Sequence, residues 1–368
     1  MKKLLITTDC FLPRWDGIAR FVTNLIPGLK DQFDITIACP AFDGPEPKIE
    51  GVKIIRFPLV KIKFGDIYFT NWHVKEFKHI IKEHDIVFNQ SLGPIGMSAI
   101  LAAHSLKKPV VSFMHSIDWE LVSKSLKHFR VLSWWGMKFV AKWFYNKCTL
   151  LLVPSEELAS LLTLQGIRTK KQVVELGVDT DYFVPPINKA EAKKRLRIHP
   201  TTLVITYVGR LAREKNIETL VAAFKNLRKE IKNVLLLVVG DGIIDVIPSS
   251  HVRVEGNQNN VLPYYQASDI YVLPSLTETT SLTTLEAMAC ECAVVATPVG
   301  SVREYLEDGR TGLIFPRRDV TTLTDLLSFL ATHEKTRIAL GQDARKTIEQ
   351  TRSWKKSLLV INNALMSL

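Results

Sequence analysis

DIYVLPSLTETTSLTTLEAMACECAVVATPVG, residues 269–300, reads as one strand–helix–strand unit, and its pattern sets the architecture of the whole chain. Two apolar runs, DIYVLPS (269–275) and CAVVATPVG (292–300), flank a Thr/Ser-rich loop and a helical segment that ends in EAMAC. Parallel strands are covered on both faces by their crossover helices, so they read as unbroken apolar runs and not as alternating ones. LVITYVG (203–209) and NVLLLVVG (233–240) repeat the rhythm upstream, each followed by a helical pattern. In the first half it recurs in LLITT (4–8), ITIAC (35–39), KIIRF (53–57), DIVFNQ (85–90), VVSFMH (110–115) and LLLVPS (150–155).

Between the two series, after Gly177-Val178-Asp179, lies DYFVPPINKAEAKKRLRIHP, a proline-bearing, charged connection. At 368 residues the chain exceeds the size at which a single core stops growing. The expectation is α/β: two Rossmann-like doubly wound domains, residues 1–183 and 184–349, facing a cleft. A terminal helix of about 350–368, with Trp354, Leu358, Leu359, Ile361 and Leu365 at helical spacing, packs back on one of them. Sheets of this kind take ligands at the carboxyl ends of their strands, so the segments after each strand carry the chemical reading.

The hydrophobic share of 46% and charged share of 23% are those of an ordinary globular protein. No apolar run reaches the roughly 18 residues that span a bilayer, and the start of the chain reads as a first strand, with no signal peptide; a cytoplasmic location is expected. The five cysteines include no CxxC pair, so buried free thiols are expected and no metal site. A net charge of +11 suits an acidic partner without choosing among nucleic acid, anionic membrane and phosphorylated substrate.

Within 274–290, Thr279, Thr280 and Ser281 are N-cap candidates, and the amides of Leu282 and Thr283 open the helix. Such an N-terminus is an anion site. Glu278 and Glu286 bracket it; like charges keep both from one diphosphate, so each suits hydroxyls, a sugar on one side and a ribose on the other. In YVGRLAREKN (207–216), Gly209 ends a strand and Arg210 and Lys215 follow, a cation pair able to neutralise two phosphates. Gly240-Asp241-Gly242 invites a dinucleotide reading, but G-x-G-x-x-G fails at Asp245, which demotes nicotinamide chemistry. In the first half, PRWDGIARF (13–21) puts Gly17 after the first strand, and MHSID (114–118) puts His115 and Asp118 after another.

With these residues together, the chain resembles over nearly its whole length the retaining glycosyltransferases of family 4, which have the GT-B fold. The matching pieces are PRWDG, LGVDTDYFVP (176–185), VGRLAREKN (208–216), Glu278 and Glu286 with EAMA, and PVGSVREYLEDGRTGLIF (298–315). The resemblance implies a hexosyltransferase that uses a UDP- or GDP-linked sugar. It implies that Arg210 and Lys215 hold the diphosphate, Glu278 contacts the transferred sugar and Glu286 the ribose. His115 would lie beside the reacting sugar, and the loop of Gly17 would meet the diphosphate. It implies no metal or other cofactor, since positioning and charge carry the catalysis. Departures are a single glycine at Gly17-Ile18 where members often have two, Ser281 where Gly is usual, and Glu291 and Ala293 where Gly and Pro are usual. A non-catalytic nucleotide-sugar binding protein is the second reading.

SKSLKHFRVLSWWGMKFVAKWFYNK (123–147) holds six Lys/Arg and no Asp or Glu. Leu126, Phe129, Leu132, Phe139, Val140 and Trp143 form an apolar stripe at helical spacing. Lys124, Lys127, Arg130, Lys138 and Lys142 flank it, with Trp134 and Trp135 beside them. Basic, tryptophan-bearing amphipathic helices lie in membrane interfaces. The expected acceptor is therefore a lipid or lipid-linked glycan, reached from an anionic membrane surface on its cytoplasmic face, with no nucleic-acid partner. A crossover helix packing its stripe on the sheet is the plainer alternative.

Overall fold

The computed structural model describes residues 1–14, 16–64, 67–120 and 130–368. It divides into two units, Met1–Glu175 with Leu358–Leu368, and Leu176–Ser357. The sequence expectation put this division at 183/184. It falls earlier because residues 177–178 are tied to 352–357: Gly177 N donates to Ser357 Oγ at 2.9 Å, and Val178 N to Arg352 O at 2.8 Å.

In the first unit, among the described residues, seven strands form one parallel sheet: β1 (Lys2–Thr7), β2 (Phe33–Pro40), β3 (Val52–Phe57), β6 (Ile86–Asn89), β7 (Val110–Phe113), β8 (Leu150–Val153) and β9 (Lys171–Val173). Their order is β3-β2-β1-β6-β7-β8-β9, and a separate antiparallel hairpin joins β4 (Leu59–Phe64) to β5 (Ile67–Thr70). The order reverses between β1 and β6, so the loops after those two strands flank a topological switch point, where ligands of such sheets bind. The helix Gly17–Leu29 follows β1, with the Asp16 side chain accepting Ala19 N at 2.8 Å as its N-cap.

In the second unit, β10 (Leu203–Val208), β11 (Val234–Val239), β12 (Val252–Val254), β13 (Ile270–Leu273), β14 (Ala293–Ala296) and β15 (Leu313–Ile314) are ordered β12-β11-β10-β13-β14-β15. Its switch point lies between β10 and β13. Both central strands are buried from end to end, as their unbroken apolar runs require. All five cysteines are buried and free.

The terminal helix runs Trp354–Met366 and changes unit at 357/358. Its later residues Ile361, Ala364 and Leu365 are buried, and Leu358 packs so closely on Gly28 that a Cβ there would lie 2.1 Å from its Cδ2.

The basic segment is helical over Arg130–Tyr145. Lys124, Leu126, Lys127 and Phe129 lie outside the described residues. The stripe expected from the sequence is not one face. Val140 turns inward with Trp134, Met137, Ala141 and Phe144 onto the core, whereas Phe139 and Trp143 lie in an exposed row with Val131 and Trp135. The helix therefore packs one apolar face on the sheet, as any crossover helix does, and carries a second one outward. Lys138 stacks its ammonium over Trp134 and Trp135, 4.6 and 4.9 Å from the ring centres. Among the described residues no helix is long and apolar enough to cross a membrane.

Candidate active site

At the switch point of the second unit, β10 leads through Gly209 and Arg210 into a short 3-10 turn, Arg213–Lys215. Two bonds tie this turn to the segment after β13: Leu276 N donates to Glu214 O at 2.8 Å, and Asn216 Nδ2 to Pro274 O at 3.0 Å. Lys215 and Glu278, 63 positions apart, are thereby brought into contact. Lys215 Nζ donates to both oxygens of Glu278, at 2.7 and 2.8 Å, and Ser275 Oγ donates to Glu278 Oε1 at 2.7 Å. The pair is largely buried, with side-chain exposures of 21% and 10%, so its charges are weakly screened. Arg210 is held four residues on by Glu214, Nη2 to Oε1 at 2.7 Å. Tyr207 OH donates to Arg210 O at 2.7 Å, which steadies the backbone at that cation.

The helix Leu282–Ala289 starts beside this pair, with Ser281 at its N-cap position. Ser281 makes no side-chain cap bond; its hydroxyl accepts from Thr284 Oγ1 at 2.8 Å instead. Thr284 N donates to the N-cap carbonyl, Ser281 O, at 3.2 Å, whereas the amides of Leu282 and Thr283 have no partner within the helix and so remain donors for an anion. Thr283 Oγ1 accepts from Tyr271 OH at 2.8 Å, and Thr280 Oγ1 from Ser301 Oγ at 3.2 Å. One turn in, Glu286 is buried and accepts from Tyr265 OH at 2.9 Å, a partner 21 positions away that its sequence context did not signal.

The first unit contributes a separate group at its own strand ends. Gly17 opens the helix after β1, and a Cβ there would meet nothing within 4 Å. His115, just past β7, brings Nε2 to 2.9 Å from Gln90 Oε1, and Gln90 directly follows β6 at the switch point. The ring stands edge-on to Phe21 and tilted on Phe113, with centres 4.7 and 4.6 Å away. These dense surroundings penalise the charged form and push the His115 pKa down to about 3. Asp118 accepts from Tyr145 OH at 2.6 Å; burial pushes its pKa up to about 6, against the pull of that bond. Gln90 was visible in DIVFNQ as a polar residue ending a strand, yet nothing in the sequence linked it to His115.

The two shifts act on stability in opposite senses. A histidine whose folded pKa is depressed contributes fully above about 6.5, and the contribution is lost as pH falls towards 3. A carboxyl whose folded pKa is raised contributes below about 3.8, and that is lost as pH rises through 6. NMR should show the His115 ring unchanged from pH 8 to pH 4 while the Asp118 carboxyl titrates near 6. A His115 transition near 6.5 would mean the ring is open to water.

Two parallel α/β units, each presenting polar groups past the carboxyl ends of strands at its switch point, define the GT-B class of folds. A sucrose-phosphate synthase from Thermosynechococcus elongatus has the same fold, with a TM-score of 0.81 at 19% identity over 100% of this chain and 99% of that one. Residues 15–182 match the model of Glycosyltransferase Family 4, and residues 188–347 that of Glycosyl transferases group 1. Similar proteins include an alpha-monoglucosyldiacylglycerol synthase from Streptococcus pneumoniae, 26% identical over 84% of this chain and 74% of that protein. Another is a GDP-mannose-dependent alpha-(1-6)-phosphatidylinositol monomannoside mannosyltransferase from Mycolicibacterium smegmatis, 24% identical over 96% of this chain and 95% of that protein. The chain belongs to the family 4 glycosyltransferases and is a hexosyltransferase that uses a nucleotide sugar.

Proposed function

We propose that this enzyme transfers a hexose from a UDP- or GDP-linked donor to a membrane lipid or lipid-linked glycan, with retention of the anomeric configuration. The observation that carries the reading is the Lys215–Glu278 pair beside the uncapped start of the helix Leu282–Ala289. Lys215 and Arg210, with the amides of Leu282 and Thr283, take the diphosphate, a set of fixed donors aimed where charge develops as the nucleotide leaves. Glu278 then accepts from sugar hydroxyls, Glu286 from the ribose, and Thr280 and Ser281 border the phosphates. Gly209 leaves room at the end of β10, and in the first unit Gly17 after β1 and neutral His115 after β7 are the groups this reading assigns to the substrate. The acceptor attacks on the face the nucleotide leaves, and the departing phosphate takes its proton. Positioning and charge suffice for this chemistry, so no metal or other cofactor is invoked.

Two observations favour a lipid acceptor. Both similar proteins carry a glycerolipid or phosphatidylinositol species in their names. The exposed row Val131, Trp135, Phe139 and Trp143, with Lys138 and Lys142 alongside, suits peripheral binding on the cytoplasmic face of a membrane. The test is a panel of UDP- and GDP-sugars against diacylglycerol or phosphatidylinositol in mixed vesicles and against soluble glycans, scored by nucleotide release and glycolipid formation. A single donor should give a hexosyl lipid. Turnover confined to soluble glycans overturns the lipid acceptor, and binding without turnover for every pair supports a non-catalytic role.

A further inference from the structure

The crossover helix Arg130–Tyr145 ends at an open pocket of about 490 Å³ lined by Lys142, Asn146, Cys148, Gly166, Arg168 and Thr169. These residues precede β8 and β9, whereas His115 and Gln90 follow β7 and β6. In a parallel sheet the two groups therefore sit at opposite ends of the strands, and the pocket is no part of the site described above. Among the described residues no acidic side chain lines it. Lys142 and Arg168 are both exposed, and neither forms an ion pair among the described residues. The frame around the cations is built: Asn146 accepts Arg168 N at 2.6 Å and donates to Gly166 O at 3.2 Å, and Thr169 Oγ1 donates to Tyr145 O at 2.7 Å. Gly166 lets the Lys142 ammonium lie over the backbone, since a Cβ there would be 2.6 Å from Nζ.

A lysine in a last helical turn has a plain role, facing the negative end of the helix dipole. That accounts for Lys142 and leaves Arg168 unexplained. Exposed apolar side chains lie close in the chain to the lining residues: Trp143, next to Lys142, is 46% exposed, Phe139, three residues before it, 71%, and Leu164, two residues before Gly166, 83%. Two unpaired cations with a fork of donors suit a phosphate, and exposed aromatic and aliphatic side chains beside them suit the acyl boundary.

We propose that this pocket binds the phosphate of an anionic lipid headgroup, an anchoring site separate from that of the reacting acceptor. The inference rests on the membrane reading above and deepens it. The helix is about 24 Å long at 1.5 Å per residue. It starts on the side of the sheet where His115 lies and ends at the pocket. A headgroup held at its far end and the row Val131–Trp143 along its length would lay the helix flat on the surface.

The full-length enzyme is tested by co-sedimentation with phosphatidylcholine vesicles containing phosphatidylglycerol. The pocket variant Lys142→Ala/Arg168→Ala is compared with a control, Lys335→Ala/Lys346→Ala, that removes two exposed cations from the helix Glu334–Thr351. At about fivefold in binding per cation near the surface, the pocket variant should bind roughly 30-fold more weakly while the control changes little. Equal losses in both variants would mean diffuse attraction and overturn the site while leaving membrane binding intact. No binding of the wild type to these vesicles would overturn the membrane reading itself. Inorganic phosphate is titrated while the Gly166 amide is watched by NMR, to separate the sources. Saturable binding of free phosphate, combined with vesicle affinity indifferent to the pocket variant, would overturn the lipid assignment.

Discussion

Lys215→Ala should lower kcat by about 10²- to 10³-fold, with kcat/KM falling in parallel, because the ammonium acts most strongly on charge that appears as the diphosphate departs. The magnitude follows from removal of one preorganised donor to a developing anion, about 2.7–4 kcal/mol. Equal losses in the two constants mark an interaction made in the transition state and not in the ground state. The variant also leaves Glu278 without its cation in a largely buried setting, so part of the loss could come from a displaced carboxylate. A double-mutant cycle with Glu278→Gln separates the two. If Lys215 served only to hold Glu278, its removal would cost nothing further in the Glu278→Gln background. A cost of at least 30-fold there assigns the cation its own role, and a near-normal rate in Lys215→Ala alone would sink the assignment of the site.

How far the sequence could be read follows from what each element exposes locally. The central strands β1, β6, β7, β10, β11, β13 and β14 were legible because both their faces are covered, which leaves an apolar run with no polar alternation. The strands β9, β12 and β15 were not: they span Lys171–Val173, Val252–Val254 and Leu313–Ile314 at sheet edges and are only partly buried, too short for any pattern. Arg210, Lys215, Glu278 and Glu286 were each marked by position after a strand or inside a helix. The contact between Lys215 and Glu278 was not, since it depends on backbone bonds from Leu276 and Asn216 across two loops. The helix Arg130–Tyr145 shows a different limit. It is apolar on two faces, and periodicity alone cannot tell a face that packs from one that faces solvent, so Val140 and Phe139 were placed together when they point apart. The unit boundary escaped for the same reason as the Lys215 contact: Val178 pairs with the backbone of Arg352 and Trp354, and backbone pairing leaves no trace in residue type.

Gly300→Ala should cut kcat/KM by about 100-fold although residue 300 carries no functional group. The segment after β14 clamps the loop that bears Glu278: Thr297 Oγ1 donates to Ser275 O at 2.6 Å, and Ser301 N to Thr279 O at 3.0 Å. Gly300 lies between them at φ +51, and a Cβ there would stand 2.3 Å from Glu278 O and 2.7 Å from Thr279 O. Alanine must therefore accept a left-handed backbone, at a cost of about 1–2 kcal/mol, and also push the Glu278 loop away by about 1 Å. A misplacement of that size at a reacting centre costs about 10²-fold. Gly309→Ala is the matched control, since Gly309 has φ +78 but a Cβ there would meet nothing within 4 Å. It should show the backbone strain as a modest drop in Tm and keep near-normal activity. Binding of the free nucleotide should survive in Gly300→Ala, because Arg210 and Lys215 stand on the other loop. A Gly300→Ala enzyme that matched Gly309→Ala in kcat/KM would show that the 297–301 segment does not position Glu278.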